Sequence, residues 1–154
     1  MKALVVYFSR SGVTRAAAEY IAAGLGADIF ELSRAEPYPA EYRAVADCAM
    51  AEIRSGTLPE LAGMPDAAPY DTVLVGSPTW CGTFAPPAAS FLARAPLAGK
   101  RVGVFCTSGG SGLAHMPRDA EKLAPGAKFL PPLALGSGKD AAAMDEWVRE
   151  IEKL

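Results

Sequence analysis

A cluster of hydroxyl side chains follows the first apolar run of the chain. The run 3–8 ends at Ser9, and Ser11 and Thr14 follow within five residues. Hydroxyls and free backbone N–H groups at the start of a helix suit phosphate oxygens. Gly12 also lets the backbone approach a ligand closely. The segment predicts a phosphate site, although Ser11 or Thr14 acting only as a helix cap is an open alternative.

A second segment, 77–84, presents an indole beside a glycine. Trp80 lies between Thr79 and Cys81, and Gly82 can adopt a positive φ. An exposed indole is unfavourable unless something apolar covers it. A planar aromatic ligand would cover Trp80, and so would the domain itself or a second subunit. We interpret Cys81 as a bystander thiol.

The third segment is rich in glycine. Three glycines fall within residues 107–112, together with Thr107, Ser108 and Ser111. Glycines bring the backbone close to a ligand and offer N–H donors. Taken alone, the segment is more typical of a flexible connection.

Alternating apolar runs and helical patterns must position these three segments. Strands are predicted at 2–8, 27–32, 71–76, 100–106 and 128–135, and helices at 13–24, 39–54, 88–95, 117–124 and after Asp140. This alternation favours a parallel sheet with helices on both faces. Ligands bind such sheets at the carboxyl ends of the strands, where the strand order reverses. The three segments follow the first, third and fourth strands and should therefore converge there.

Length and composition restrict the class of protein. The 154 residues predict one domain, 1–154, and a net charge of −2 argues against nucleic-acid binding. No apolar run is long enough to cross a bilayer. Three widely spaced cysteines predict reduced thiols and a cytoplasmic protein. We expect a monomer or a homodimer.

The three segments, together with Glu-Pro-Tyr-Pro at 36–39, resemble the flavodoxins, particularly their short flavodoxin-like branch. The resemblance covers essentially the whole chain. It implies an α/β fold, a doubly wound five-stranded parallel sheet of order 2-1-3-4-5 in three α/β/α layers, and a non-covalently bound FMN. It assigns no catalytic side chain and no metal ligand.

The resemblance assigns FMN-binding residues by motif match. The phosphate would be held by Ser9, Arg10, Ser11, Gly12, Val13 and Thr14. The isoalloxazine would be flanked by Pro78, Thr79, Trp80, Cys81 and Gly82, with Trp80 stacked on the ring. The pyrimidine edge would be closed by Thr107, Ser108, Gly109, Gly110 and Ser111.

The sequence also departs from the flavodoxin pattern. Val13 replaces a usual asparagine, the third segment has no aromatic residue to cover the second flavin face, and the charge is nearly neutral.

The first functional hypothesis is an electron-transfer flavoprotein that serves a redox partner protein or a small acceptor. An FMN-dependent NAD(P)H quinone or nitro reductase is the second, with His115 as a hypothetical proton donor. A flavin-free binding domain is the third.

Overall fold

A computed structural model describes residues 1–136 and 140–154 of the chain. Helices and strands alternate along it almost throughout. The elements in chain order are β1 (Ala3–Tyr7), α1 (Val13–Leu25), β2 (Asp28–Glu31), α2 (Tyr42–Ser55), β3 (Thr72–Trp80), β4 (Thr83–Phe84), α3 (Pro86–Arg94), β5 (Arg101–Thr107), α4 (Met116–Leu123), β6 (Lys128–Phe129), β7 (Leu133–Leu135) and α5 (Ala141–Glu152). None of these helices is long and apolar enough to span a membrane within the described ranges.

The sheet confirms the predicted doubly wound topology. Its strands run in the order β2-β1-β3-β5-β6, and all of these pairs are parallel. The predicted fifth strand is divided into β6 and β7, which both pair with β5. Pro131 and Pro132 lie between them and have no N–H to donate to a ladder. The predicted edge position of this strand is therefore correct.

Alternating side chains of the central strands supply the cores on the two faces of the sheet. Leu4 and Val6 of β1 join the core under α3 and α4, whereas Val5 joins the core under α1 and α5. This alternation follows from the two-residue period of a strand. Because both faces are covered by helices, β1 is buried along its whole length and reads as a continuous apolar run.

Two boundaries differ from the predicted ones by three residues or more. Helix α2 begins at Tyr42 rather than at Pro39, and its N-cap is Glu41, whose side chain accepts a hydrogen bond from the Arg43 N–H. Residues that precede proline avoid the helical region, which keeps segment 36–39 out of the helix. Strand β3 continues through 77–80, predicted as loop, because these residues pair with the end of β5 and then with β4.

Close packing at the centre of the sheet depends on a missing side chain. Gly76 of β3 lies opposite Phe105 of β5, and a Cβ at Gly76 would come 2.2 Å from the Phe105 ring. The Phe105 ring in turn meets Trp147 of α5 edge-on, with ring centroids 5.9 Å apart. Gly76 therefore creates the space that lets an aromatic pair fill the core under α5.

We expect Gly76→Ala to lower the free energy of unfolding by roughly 3 kcal/mol, because overpacking forces the Phe105 ring off its position. Urea denaturation measures the change. Gly63→Ala is the matched control, since its new methyl group would lie 3.8 Å from Phe30 in ordinary contact. That control should stay within about 0.5 kcal/mol of the parent. Equal stability of the two variants would contradict this account of the core.

Candidate functional site

A cavity of about 470 Å³ opens at the carboxyl ends of β1, β3 and β5, where the sequence predicts a ligand. It receives residues from two of the three predicted segments, one residue of the third, and one face of α2. Its lining consists of Arg10, Ser11, Thr14, Tyr42, Val45, Ala46, Ala49, Met50, Pro78, Thr79, Trp80, Cys81 and Thr107. Its size lies within the range of small-molecule sites.

One end of the cavity is formed by the start of α1. Gly12 is the N-cap residue with φ 93°, so the alternative that Ser11 or Thr14 acts only as a helix cap does not hold. The Gly12 N–H donates to the Ser9 hydroxyl at 3.1 Å, and the buried hydroxyls of Thr14 and Thr107 share a hydrogen bond of 2.8 Å. The second bond ties the first predicted segment to the third.

This end of the cavity suits an anion. No carboxylate occurs in the first turn of α1, and no side-chain cap bonds to the helix start among the described residues. The first amides of the helix are therefore open to an acceptor, and the helix dipole is positive there. Arg10 is the only Lys or Arg in the cavity lining of the described chain, and no Asp or Glu is part of it.

Another part of the lining is the aromatic side chain of Trp80. The Trp80 indole lines the cavity and meets Phe8 and Tyr38 edge-on, with ring centroids 5.5 and 6.0 Å away. Trp80 thus packs partly on the domain and still presents apolar surface to the cavity. Packing on the domain and contact with a flat ligand are therefore compatible for this indole, and the third alternative, a second subunit, stays a prediction.

Trp80 immediately precedes a tight hairpin that joins β3 to β4. Cys81 and Gly82 are its two central residues, with φ of 51° and 78°. Positive φ at both positions is the pattern of a type I′ turn. The predicted conformational freedom of Gly82 is therefore used here, whereas a positive φ at Cys81 costs on the order of 1–2 kcal/mol.

The glycine-rich segment and the residues that follow it are hydrogen-bonded to this hairpin. The Thr79 hydroxyl donates to the Gly112 carbonyl at 2.7 Å, and the His115 N–H donates to the Gly82 carbonyl at 2.9 Å. The His115 ring lies beside Gly82, where a Cβ would come 3.5 Å from the ring. These bonds fix the hairpin tip that carries Cys81 and Gly82.

Several predicted site residues lie outside the cavity lining. They are Ser9, Gly12, Val13, Gly82, Ser108, Gly109, Gly110 and Ser111. Ser9 contributes indirectly, because its hydroxyl accepts a hydrogen bond from the Gly12 N–H. Gly82 contributes by adopting the positive φ of the hairpin turn. Of the glycine-rich segment only Thr107 reaches the cavity, and Gly109 to Ser111 are exposed. Closure of this segment over a ligand stays a prediction.

Sequence reasoning missed the contribution of α2. Five of its residues line the cavity: Tyr42, Val45, Ala46, Ala49 and Met50. Their spacing of three and four residues places them on one helical face. That pattern was visible in the sequence, but it is the same one that packs any helix against a core. Tyr42 is 73% exposed, and the Arg10 guanidinium lies 5.2 Å from its ring centroid.

A polar network of Arg34, Tyr38 and Glu52 contacts Trp80 through the Tyr38 ring. The Tyr38 hydroxyl donates to Glu52 at 2.8 Å, and the Arg34 Nε lies 3.5 Å from the other carboxylate oxygen. Arg34 also stacks over the Tyr38 ring at 4.6 Å. Burial, followed by the hydrogen bond to Glu52, raises the pKa of Tyr38 far above its ordinary value. Tyr38 therefore stays protonated, and its hydroxyl remains a donor, into strongly alkaline solution.

Comparison with known proteins assigns the family. The flavodoxin sequence profile matches residues 2–151, so the chain belongs to the flavodoxin family. No curated protein matches the chain. A protein from Bacteroides uniformis, provisionally designated a flavoprotein, is 27% identical, and the alignment covers 96% of this chain and 97% of that one with a TM-score of 0.86.

Two further solved structures share the fold. A flavoprotein from Lactobacillus acidophilus, solved in complex with FMN, is 28% identical, with 95% of this chain and 97% of that chain covered and a TM-score of 0.75. Oxidised Flavodoxin 2 from Bacillus cereus is 19% identical, with both chains fully covered and a TM-score of 0.64. The second likeness concerns the fold alone.

The raised pKa of Tyr38 predicts a dependence of stability on pH. Its contribution is complete below pH about 10, the ordinary tyrosine pKa, and is lost as the pH rises toward its value in the folded state. The difference in unfolding free energy between the parent and Tyr38→Phe should therefore be constant up to pH 9 and shrink above pH 10. Urea denaturation across this range measures it. A constant difference throughout would contradict the assignment.

Proposed function

We propose that this protein binds FMN non-covalently in the 470 Å³ cavity and transfers electrons through it. The observation that carries the proposal is one cavity whose lining includes both a helix start suited to an anion and the Trp80 indole. FMN needs both features, because it has a phosphate at one end and a flat tricyclic ring at the other. Flavodoxin membership and the FMN complex of the Lactobacillus acidophilus flavoprotein support this ligand.

The phosphate end would be held mainly by backbone and hydroxyl donors. Ser11 and Thr14 line the cavity beside the free amides at the start of α1, and Arg10 adds a positive charge to the lining. Thr14 and Thr107 are hydrogen-bonded to each other and fix the floor. Val13 offers no side-chain donor, so the backbone has to supply most of the binding.

The ring end would be enclosed by Trp80 and by the apolar face of α2. Offset stacking of an aromatic ring on the indole contributes about 0.5–1.5 kcal/mol beyond the area that it buries. Ala46, Ala49 and Met50 exclude water from the opposite side. Tyr42 lies at the rim, so a second aromatic side chain comes from α2 rather than from the glycine-rich segment.

Bound FMN would supply reversible one- and two-electron chemistry, and the chain would set its affinity, orientation and exposure. Apolar packing around the ring disfavours added negative charge on it, whereas Arg10 favours such charge. No carboxylate strengthens the first effect in the part of the lining that the structure describes. We propose a redox partner protein or a small-molecule acceptor as the destination of the electrons.

A second candidate function is direct reduction of quinones or nitro compounds with NAD(P)H. Its supporting observation is the exposed rim: Cys81 and residues 109–111 are solvent-accessible, and the glycine-rich segment leaves the cavity mouth uncovered beyond Thr107. A small substrate would reach the ring edge through this opening.

Ser11→Asp tests the phosphate end. The new carboxylate would face the phosphate, and two like charges about 4 Å apart at an effective dielectric constant of 20 repel by ~4 kcal/mol before screening. We expect FMN affinity to fall 10- to 100-fold while riboflavin, which has no phosphate, binds as it does to the parent. Isothermal titration with the two ligands measures the split.

The control for that experiment is Ala16→Asp, which adds the same charge at an exposed position outside the cavity lining. Its FMN affinity should stay within about twofold of the parent. Ser11→Asp should fold at least as stably as the parent, because an acid near a helix start is favourable. Equal losses for FMN and riboflavin would refute the placement of the phosphate.

The two candidate functions differ in their response to nicotinamide. We expect the FMN-loaded protein mixed with NADH or NADPH under anaerobic conditions to keep its flavin absorbance on the scale of seconds. Addition of a catalytic amount of a flavodoxin reductase should then bleach it. Rapid bleaching by NAD(P)H alone would favour the reductase and would contradict a pure carrier role.

A further inference from the structure

The Arg34, Glu52 and Tyr38 network connects parts of the chain that are distant in sequence. Glu52 belongs to the last turns of α2, whereas Arg34 and Tyr38 lie in the connection that follows β2. Glu52 is only 8% exposed, and each of its carboxylate oxygens has a partner. A charge this deeply buried is tolerated only with such partners. The network therefore fixes α2 relative to the connection.

Tyr38 transmits this constraint to the site. Its ring meets Trp80 at 6.0 Å and Phe8 at 6.0 Å, both edge-on. The ring also borders a second cavity of about 610 Å³ on the side of residues 31–40. Tyr38 is half-buried, so packing encloses its side chain only in part. The hydrogen bond to Glu52 and the Arg34 guanidinium over the ring hold it in place as well.

The network also bears on α2 itself. Val45 and Ala49 of this helix are buried, yet as the structure describes them they belong to neither core cluster of the sheet and face the ligand cavity instead. A helix with its apolar face toward a cavity has less packing to hold it in place. The Glu52 anchor offsets this loss.

We propose that Tyr38 and Glu52 are positioning residues that hold the Trp80 indole and α2 in the arrangement that receives the ring of a bound flavin. The proposal rests on the proposed function for its ligand. It makes a prediction that a purely stabilising ion pair does not make: loss of the network should weaken recognition of the ring and leave recognition of the phosphate unchanged.

Tyr38→Phe keeps the ring and removes only its bond to Glu52. Because a hydrogen bond to a charged group stabilises the position of Tyr38, we expect its loss to weaken FMN binding about tenfold. Riboflavin has the same ring and should lose the same factor in affinity. The equal loss distinguishes this variant from Ser11→Asp, which affects FMN alone.

Glu52→Gln is the second variant. It keeps an acceptor for Tyr38 but loses the charge that pairs with Arg34, and its loss should be smaller.

Tyr20→Phe is the matched control. Its hydroxyl donates to Asp145 at 2.8 Å, the same distance as in the Tyr38 bond, but it joins α1 to α5 on the opposite face of the sheet. Both flavins should bind this variant within about twofold of the parent.

A measurement without ligand separates this proposal from the proposed function. In a Trp147→Phe background Trp80 is the only tryptophan. Tyr38→Phe should then shift its emission to the red and increase its quenching by acrylamide, whereas Tyr20→Phe should not. If the parent binds no flavin but this shift appears, the proposed function fails and the positioning role stands. If the parent binds FMN and Tyr38→Phe changes neither emission nor affinity, the positioning role is refuted.

Discussion

The parallel pairing of β1, β3 and β5 is the constraint on which the site depends. Their registers bring Tyr7, Gly76 and Phe105 to one level of the sheet, so all three strands end at the same edge. Everything that faces the cavity is attached to that edge or packed over it. The close fit of the Phe105 ring against Gly76 keeps the two central strands in this register. A ligand site built from loops thereby inherits the rigidity of the core.

The sequence was sufficient to predict the fold and the edge of the sheet at which the cavity lies, for identifiable physical reasons. Strands buried on both faces read as unbroken apolar runs, and the prolines at 131 and 132 marked the edge strand. Ser11, Thr14 and Trp80 were recognisable because hydroxyls after a strand and an indole beside glycine are unusual in a purely structural turn. Each of these signals involves residues that are close in sequence, so it can be recognised without a structure.

Contacts between distant segments were not predictable in the same way. The bond from Tyr38 to Glu52 spans fourteen residues and depends on how α2 lies over the sheet. The cavity-facing stripe of α2 has the same periodicity as a core-facing one, so its role required the tertiary arrangement. The glycine-rich segment and His115 contact the β3–β4 hairpin through the bonds of Thr79 and Gly82, and neither bond has a signature in the residue types.

The broken strand at the far side of the sheet has a consequence for how the molecule meets its neighbours. A continuous border strand offers a row of unpaired amides on which another chain can add, and this is a common route to aggregation. Pro131 and Pro132 remove donors from the middle of that border, between β6 and β7. Self-association by strand addition is thereby disfavoured along this side, even in concentrated solution.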